Sequence, residues 1–288
     1  MGAGDPRVLR SRMIVPSRMR PNEVSCDPCD TWTQFPDRLR TVQYRRCVLG
    51  ARGVIYRGQG SALWPLWSLW ERNFYKVQTA GGFPYVLQRQ VESTNYVEAL
   101  QRHLAAFKHL LREQRVSVPL SFDEPDVRWW ALGRHYELWT PLLDWTRDPR
   151  VAAFFAFSHP QAQTVTVWAL AVTQDIFHLI VEPSGHGILR QRAQKGVYSH
   201  LANEVFADIE NYLRNTGLAH CLTRIDLPRA ERDRALASLI EHGISAETLM
   251  PDMPIAEHPI TIAARRANAL LTYTHSRPPG APKGLIAL

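Results

Sequence analysis

The chain reads as an α+β protein folded as a single mixed domain. Thr164–Val172 (TVTVWALAV) is rich in β-branched residues and has the length of a strand. Residues 96–113 instead place Leu100, Leu104, Phe107 and Leu111 at helical spacing, with Arg102, Lys108 and Arg112 mostly off that stripe. Both ends differ in composition from what lies between them. This divides the 288 residues into an arm at 1–46, a body at 47–273 and a tail at 274–288.

In chain order, the arm holds nine Arg, no Lys and five acids, with Pro at 6, 16, 21, 28 and 36. Its apolar pattern fits neither a helix nor a strand period. It is expected to be flexible or partly docked, with Trp32 and Phe35 pinning its end to the body. Val54, Ile55 and Tyr56 form a short strand that ends at Gly58. The helix at 96–113 follows. Asp148 is suited to cap a helix whose first turn takes Pro149, and the run VAAFFAF behind it predicts a helix buried on nearly all sides. The strand at Thr164–Val172 comes next, then a strand at 221–227 and a helix at 229–242 stopped by Gly243. The tail (SRPPGAPKG) is weakly structured by its Pro and Gly content.

Composition bounds the function. With 45% hydrophobic and 21% charged residues the chain is globular rather than disordered, collagen-like or coiled-coil. Its net charge of +7 makes an anionic partner plausible, but residues 1–46 carry +4 of it and the body is only mildly basic. No apolar run approaches the roughly 20 residues that span a bilayer, no secretory leader is visible, and Pro6 stands where a myristoylation signal wants Ser or Thr. A cytoplasmic protein without a membrane partner is expected.

Several chemistries lack their motif. There is no P-loop, no G-x-G-x-x-G, no G-x-S-x-G and no H-E-x-x-H. Cys26 and Cys29 have the spacing of half a zinc site, but a second pair is missing and no metal is expected. Eight of the nine Trp lie between residues 64 and 168, where they serve either as core or as stacking surfaces for bases or a nicotinamide ring. Tyr56-Arg57-Gly58-Gln59 puts an arginine at a strand end, where it can hold phosphate while glycine admits a ligand. The alternative for Arg57 is a structural salt bridge to Asp144. Asp144, Trp145 and Thr146 precede a helix N-terminus, a place that serves either an anion site or a capping network.

Taken together, VIYRGQG (54–60), WPLWSLWER (64–72), EALQRHLAAFKHLLRE (98–113), GRHYELWTPLLDWTRDPRVAAFFAF (133–157), RQRAQKGVYSHL (190–201) and IEHGISAETLMPDM (240–253) resemble the FRG domain family, named for its aromatic-Arg-Gly motif. The resemblance runs from about 54 to about 255. The central block departs from the usual pattern at Arg134 (Gln is usual), Glu137 (Gly) and Pro141 (Arg), and the block at Met250-Pro251-Asp252 lacks the family's second acid and glycine. More distantly, the order Arg57, Ser199, then Asp252 or Glu257 is similar to the arginine-class ADP-ribosyltransferases, although their Glu-x-Glu is absent.

This second resemblance implies a split β-sheet with a helical insertion, and NAD as the substrate. Arg57, Ser199 and Asp252 would be catalytic. Tyr56, Gly58, Gln59, His135, Asp144, Thr146, Gln194 and Tyr198 would bind NAD, with Tyr198 stacking on nicotinamide. It further implies an acceptor that is nucleic acid or protein, and a role as a bacterial toxin or phage-defence effector. The competing class is a non-catalytic nucleic-acid or partner-binding module whose Arg-rich arm contacts phosphates.

Overall fold

A computed structural model of the chain describes residues 22–78, 93–182, 189–201, 208–252 and 255–275. Its elements are β1 (Ser25–Cys26), α1 (Phe35–Val48), β2 (Gly53–Gln59), α2 (Leu69–Gln78), α3 (Ser93–Glu113), α4 (Asp126–His135), β3 (Leu143–Thr146), α5 (Pro149–Ser158), β4 (Thr164–Val172), α6 (Gln174–Phe177), β5 (Ile180–Val181), α7 (Leu189–Ala193), β6 (Gly196–Ser199), α8 (Ile209–Asn215), β7 (Leu222–Pro228), α9 (Arg232–Glu241), α10 (Ala246–Leu249) and α11 (Pro259–His275). The described strands form one mixed sheet in the order β1-β7-β4-β2-β3-β6-β5. Among the described strands only β1 and β7 pair in parallel. The fold is α+β, as the sequence predicts.

The sheet has a weak seam. β2 pairs with β4 over seven residues and β3 with β6 over four. Between them, β2 and β3 share a single bridge at Tyr56 and Thr146. Beyond that pair the two halves separate. The chain between β2 and β3 carries α2, α3 and α4, and α11 returns to pack on them. Leu104, Phe107, Leu111, Trp129 and Trp130 meet Ile260, Ala263, Ala264 and Ala267 there.

Strand alternation sorts the rest of the core into two layers. Val54, Tyr56, Val165, Val167, Ala169, Ile225 and Leu227 face α1, α5 and α9. Ile55, Trp145, Trp168, Leu170 and Val197 face the other way, with α6 and α8 beyond them. Asp148 accepts a hydrogen bond from the Arg150 amide at 3.0 Å and caps α5, whose exposed large residue is Phe155.

The arm reading needs correction over residues 22–46. β1 pairs with β7, and α1 lies on the sheet with Phe35 and Val42 in the core. The boundary drawn at 46 therefore falls inside a helix. Trp32 does pin this segment, stacking on Phe35 at 4.9 Å and meeting Phe157 edge-on. The helix is hard to read because only Phe35, Val42 and Arg45 are buried along its 14 residues. Arg45 pairs with Asp27 at 2.6 Å, so polar pairing replaces the apolar stripe that a periodicity argument needs. Residues 1–21 and 276–288, the rest of the expected arm and most of the expected tail, lie outside the described residues.

Two boundaries also move. The strand expected at 221–227 is preceded by a 3-10 turn at Ala219–Cys221. The helix expected at 229–242 begins as a 3-10 turn at Arg229–Glu231 before α9. Gly243, with φ of +72°, takes the left-handed conformation that ends a helix.

Candidate functional site

A cleft of about 440 Å³ opens where β2 and β3 part. β2 and its end supply Tyr56, Arg57, Gly58, Gln59 and Gly60. β3 supplies Asp144, Trp145 and Thr146, and β6 supplies Gly196 and Tyr198. Arg72 on α2, Arg134 and His135 on α4, Arg190 and Gln191 on α7 and Gln194 after it complete the polar wall. Four arginines and one aspartate thus line a single cleft.

Their arrangement is specific. Arg134 grips Asp144 bidentately, with Nε 3.0 Å from Oδ1 and Nη2 2.8 Å from Oδ2. Arg57 Nη1 donates to the Asp144 carbonyl oxygen at 2.8 Å and stands 3.7 Å from Oδ2. Arg72 donates from Nε and Nη2 to the Trp67 carbonyl, at 3.2 and 3.1 Å. Burial pushes the Asp144 carboxyl up, but the Arg134 charge and then Arg57 more than reverse this, so it titrates below the usual carboxylate range. Burial first and the Arg72 charge second press Arg57 down to about 9. At neutral pH Arg57 is still charged, with 13% of its side chain exposed and its buried Nε without a hydrogen-bond partner. Such a cation, crowded by other cations, is stabilised by an incoming anion.

A second cluster sits beside the first. Tyr198 Oη lies 2.7 Å from His135 Nε2 and accepts from Gln191 Nε2 at 3.3 Å. Arg190 Nη2 donates to the His135 carbonyl at 2.6 Å, and Arg190 Nε stands 3.4 Å from Asp252 Oδ1. Burial, then the Arg190 charge, lowers the His135 imidazole to about 4, so the ring is neutral at pH 7. Burial raises the Tyr198 phenol well above its usual range.

The expected site residues divide on this geometry. Arg57, Tyr56, Gly58, Gln59, His135, Asp144, Thr146, Gln194 and Tyr198 all line the cleft. Asp252 reaches it only through its ion pair with Arg190. Ser199 does not join them. Neighbouring strand residues point to opposite faces, so Tyr198 in the cleft puts Ser199 behind it. There Ser199 accepts from Trp145 Nε1 at 2.8 Å and lines a small separate cavity with Glu71, Tyr96 and Asp208.

Several of the nine are structurally committed. Tyr56 is buried and its hydroxyl accepts from Gln43 at 3.0 Å. Gln59 accepts from Trp168 Nε1 at 2.8 Å and donates to the Pro65 carbonyl at 3.0 Å. Thr146 donates to the Gln194 carbonyl and accepts from the Asp148 amide. Gln194 Nε2 donates to the Leu249 carbonyl at 3.1 Å. Gly58, which lines the cleft, also makes room for a helix: a Cβ there would stand 1.8 Å from the Ala152 carbonyl oxygen of α5.

Sequence reading missed Arg72, Arg190, Phe155, His159, Gln161 and Gln191, took Arg134 only as a departure from the family pattern, and left Trp64 undistinguished among the tryptophans. Trp64 and Phe155, 37% and 36% exposed, give the cleft an aromatic rim. Most of the other tryptophans are core: Trp70, Trp129, Trp130, Trp145 and Trp168 are buried. Cys29 is buried in the layer beneath α1, and Cys26 Sγ contacts Asp226 and Arg224. Among the described residues no three His, Cys, Asp or Glu side chains gather around a common point, and no helix is long and apolar enough to cross a membrane.

The FRG domain family model matches residues 52–164. The match includes Arg57, Arg72, Arg134, His135 and Asp144. The segments with Arg190, Tyr198 and Asp252, within the longer resemblance read from the sequence, lie beyond it. Comparison with curated proteins and with solved structures returns no match.

Proposed function

We propose that the cleft binds NAD and that the protein transfers the ADP-ribosyl group to a nucleophile on nucleic acid or protein. The carrying observation is the crowding of Arg57, Arg72 and Arg134 around Asp144, in a cleft whose rim exposes Trp64 and Phe155. Such a surface suits a ligand with both phosphate and a planar ring. Arg57 and Arg72 take the pyrophosphate, and an aromatic of the rim stacks on a ring. Asp144, kept ionised by its arginines, faces the ribose. As the C1′–N bond breaks, its electron pair leaves with nicotinamide, and the carboxylate stabilises the oxocarbenium-like centre left behind. Asp144 thereby takes the electrostatic role expected of Asp252, which its contact with Arg190 draws toward the second cluster. An effector role, as a toxin or in phage defence, belongs to this reading.

The position of Ser199 behind the sheet favours a second reading, in which the same arginines hold a nucleotide phosphate without chemistry. Both readings predict binding. Calorimetric titration of the intact chain with NAD should give saturable binding that weakens at least tenfold, about 1.4 kcal/mol, in Arg57→Ala. Equal heats for wild type, variant and buffer would overturn both.

A further inference from the structure

We infer that Tyr198 and His135 form a proton relay that deprotonates the attacking nucleophile, with Tyr198 touching the acceptor and His135 positioned behind it to receive the proton. The inference rests on the NAD reading of the cleft and adds the group that finishes the reaction.

The geometry assigns the roles. Tyr198 lines the cleft, and its hydroxyl lies 2.7 Å from His135 Nε2. Gln191 Nε2 donates to one lone pair of the same hydroxyl oxygen, at 3.3 Å, and the relay gives the single phenolic proton to the imidazole. That requires the tautomer with Nδ1 protonated and Nε2 accepting. His135 is held in place because Arg190 binds its backbone carbonyl, at the last residue of α4.

The proton inventory closes. When nicotinamide has left with the C1′–N electron pair, an acceptor hydroxyl or amine, or water, forms the new bond to C1′. Its proton passes to Tyr198 Oη as the phenolic proton passes to His135 Nε2, and the imidazolium then releases a proton to solvent. NAD and acceptor become ADP-ribosyl acceptor, nicotinamide and one proton, with no redox change.

The charged groups facing His135 are Arg190 on α7, Arg134 on α4, Asp144 on β3 and Asp252 after α10. Arg190 and Arg134 oppose the imidazolium, and the two carboxylates favour it. An anionic ligand that neutralises part of the arginine charge therefore helps His135 take its proton when the substrate is present.

The test combines ¹⁵N spectroscopy of the histidine rings with kinetics of nicotinamide release in wild type, Tyr198→Phe and His135→Gln. Gln keeps an acceptor near Tyr198 but cannot titrate. Wild type should show His135 protonated at Nδ1 and accepting at Nε2. Both variants should bind NAD within threefold of wild type and lose at least a hundredfold in kcat. His135→Gln should also lose the acid limb of the kcat/KM profile. A wild-type ring protonated at Nε2, or variants that turn over normally, would overturn the relay and leave the NAD reading standing. A wild type that neither binds NAD nor releases nicotinamide would overturn the reading, and the relay with it. Because the ring tautomer is read on the unmodified chain, a variant that fails to fold does not shield the relay from test.

Discussion

A methyl group on Gly58 would collide with the Ala152 carbonyl oxygen at 1.8 Å and the Ala156 amide nitrogen at 2.6 Å. The glycine of the aromatic-Arg-Gly motif is therefore a packing residue, matched to the small alanines of α5. It lets that helix lie on β2, which fixes where Arg57 emerges. Gly58→Ala should cost about 3 kcal/mol or more, since neither clash partner is a flexible side chain. Gly196→Ala, whose added Cβ would meet Gln191 at an ordinary 3.5 Å, should cost little. Urea unfolding of both variants checks this, and equal stabilities would contradict it. Glu137 makes a related point. Where the family pattern has Gly, this residue has φ of +69°, a conformation glycine adopts without strain. Asn268 Nδ2 donates to its carbonyl and Arg265 pairs with its carboxylate, so local bonds hold a backbone the side chain disfavours.

At the scale of elements, legibility followed periodicity. β4 and α3 announce themselves because nearly all of β4 is buried and α3 is amphipathic over six turns. α1 was missed because arginine pairs, rather than an apolar stripe, hold much of it: Arg45 with Asp27, Arg40 with Asp37, and Arg38 with the Pro28 carbonyl. The site was legible to the same uneven degree. Arg57, His135, Asp144 and Tyr198 sit in motif-like runs and do meet in the cleft. Ser199 satisfied the order of residues but not the parity of the strand, which places Tyr198 forward and Ser199 back. Arg72 and Arg190 reach the cleft from α2 and α7, elements far apart in sequence. Only the tertiary approach of these helices to the β2–β3 seam makes them neighbours, and no local pattern encodes that.

At the scale of the whole molecule, desolvation keeps three of the described histidines neutral, with consequences for acid stability. Burial lowers His103, His135 and His200 to about 4. Unfolded, these rings would titrate near 6.5. Between those values the unfolded chain binds more protons, so stability falls as pH falls from about 6.5 toward 4. For His103, 2% exposed between Trp70 and Trp130, the loss approaches about 3 kcal/mol. Glu71 and Asp208, whose carboxyls are raised by burial, act in the opposite sense. Melting temperature should therefore drop between pH 7 and 5, and a flat or rising profile would contradict this. The same tertiary organisation that buries these rings gathers four arginines and an ionised aspartate at the seam of the sheet. Release of nicotinamide from NAD, followed chromatographically for the intact wild-type chain and for Asp144→Asn, asks most directly whether that gathering is a catalytic centre. Wild type should release nicotinamide and the variant should lose at least a hundredfold, as expected when an electrostatic stabiliser is removed. Release by wild type no faster than in buffer, or equal release by both proteins, would contradict it.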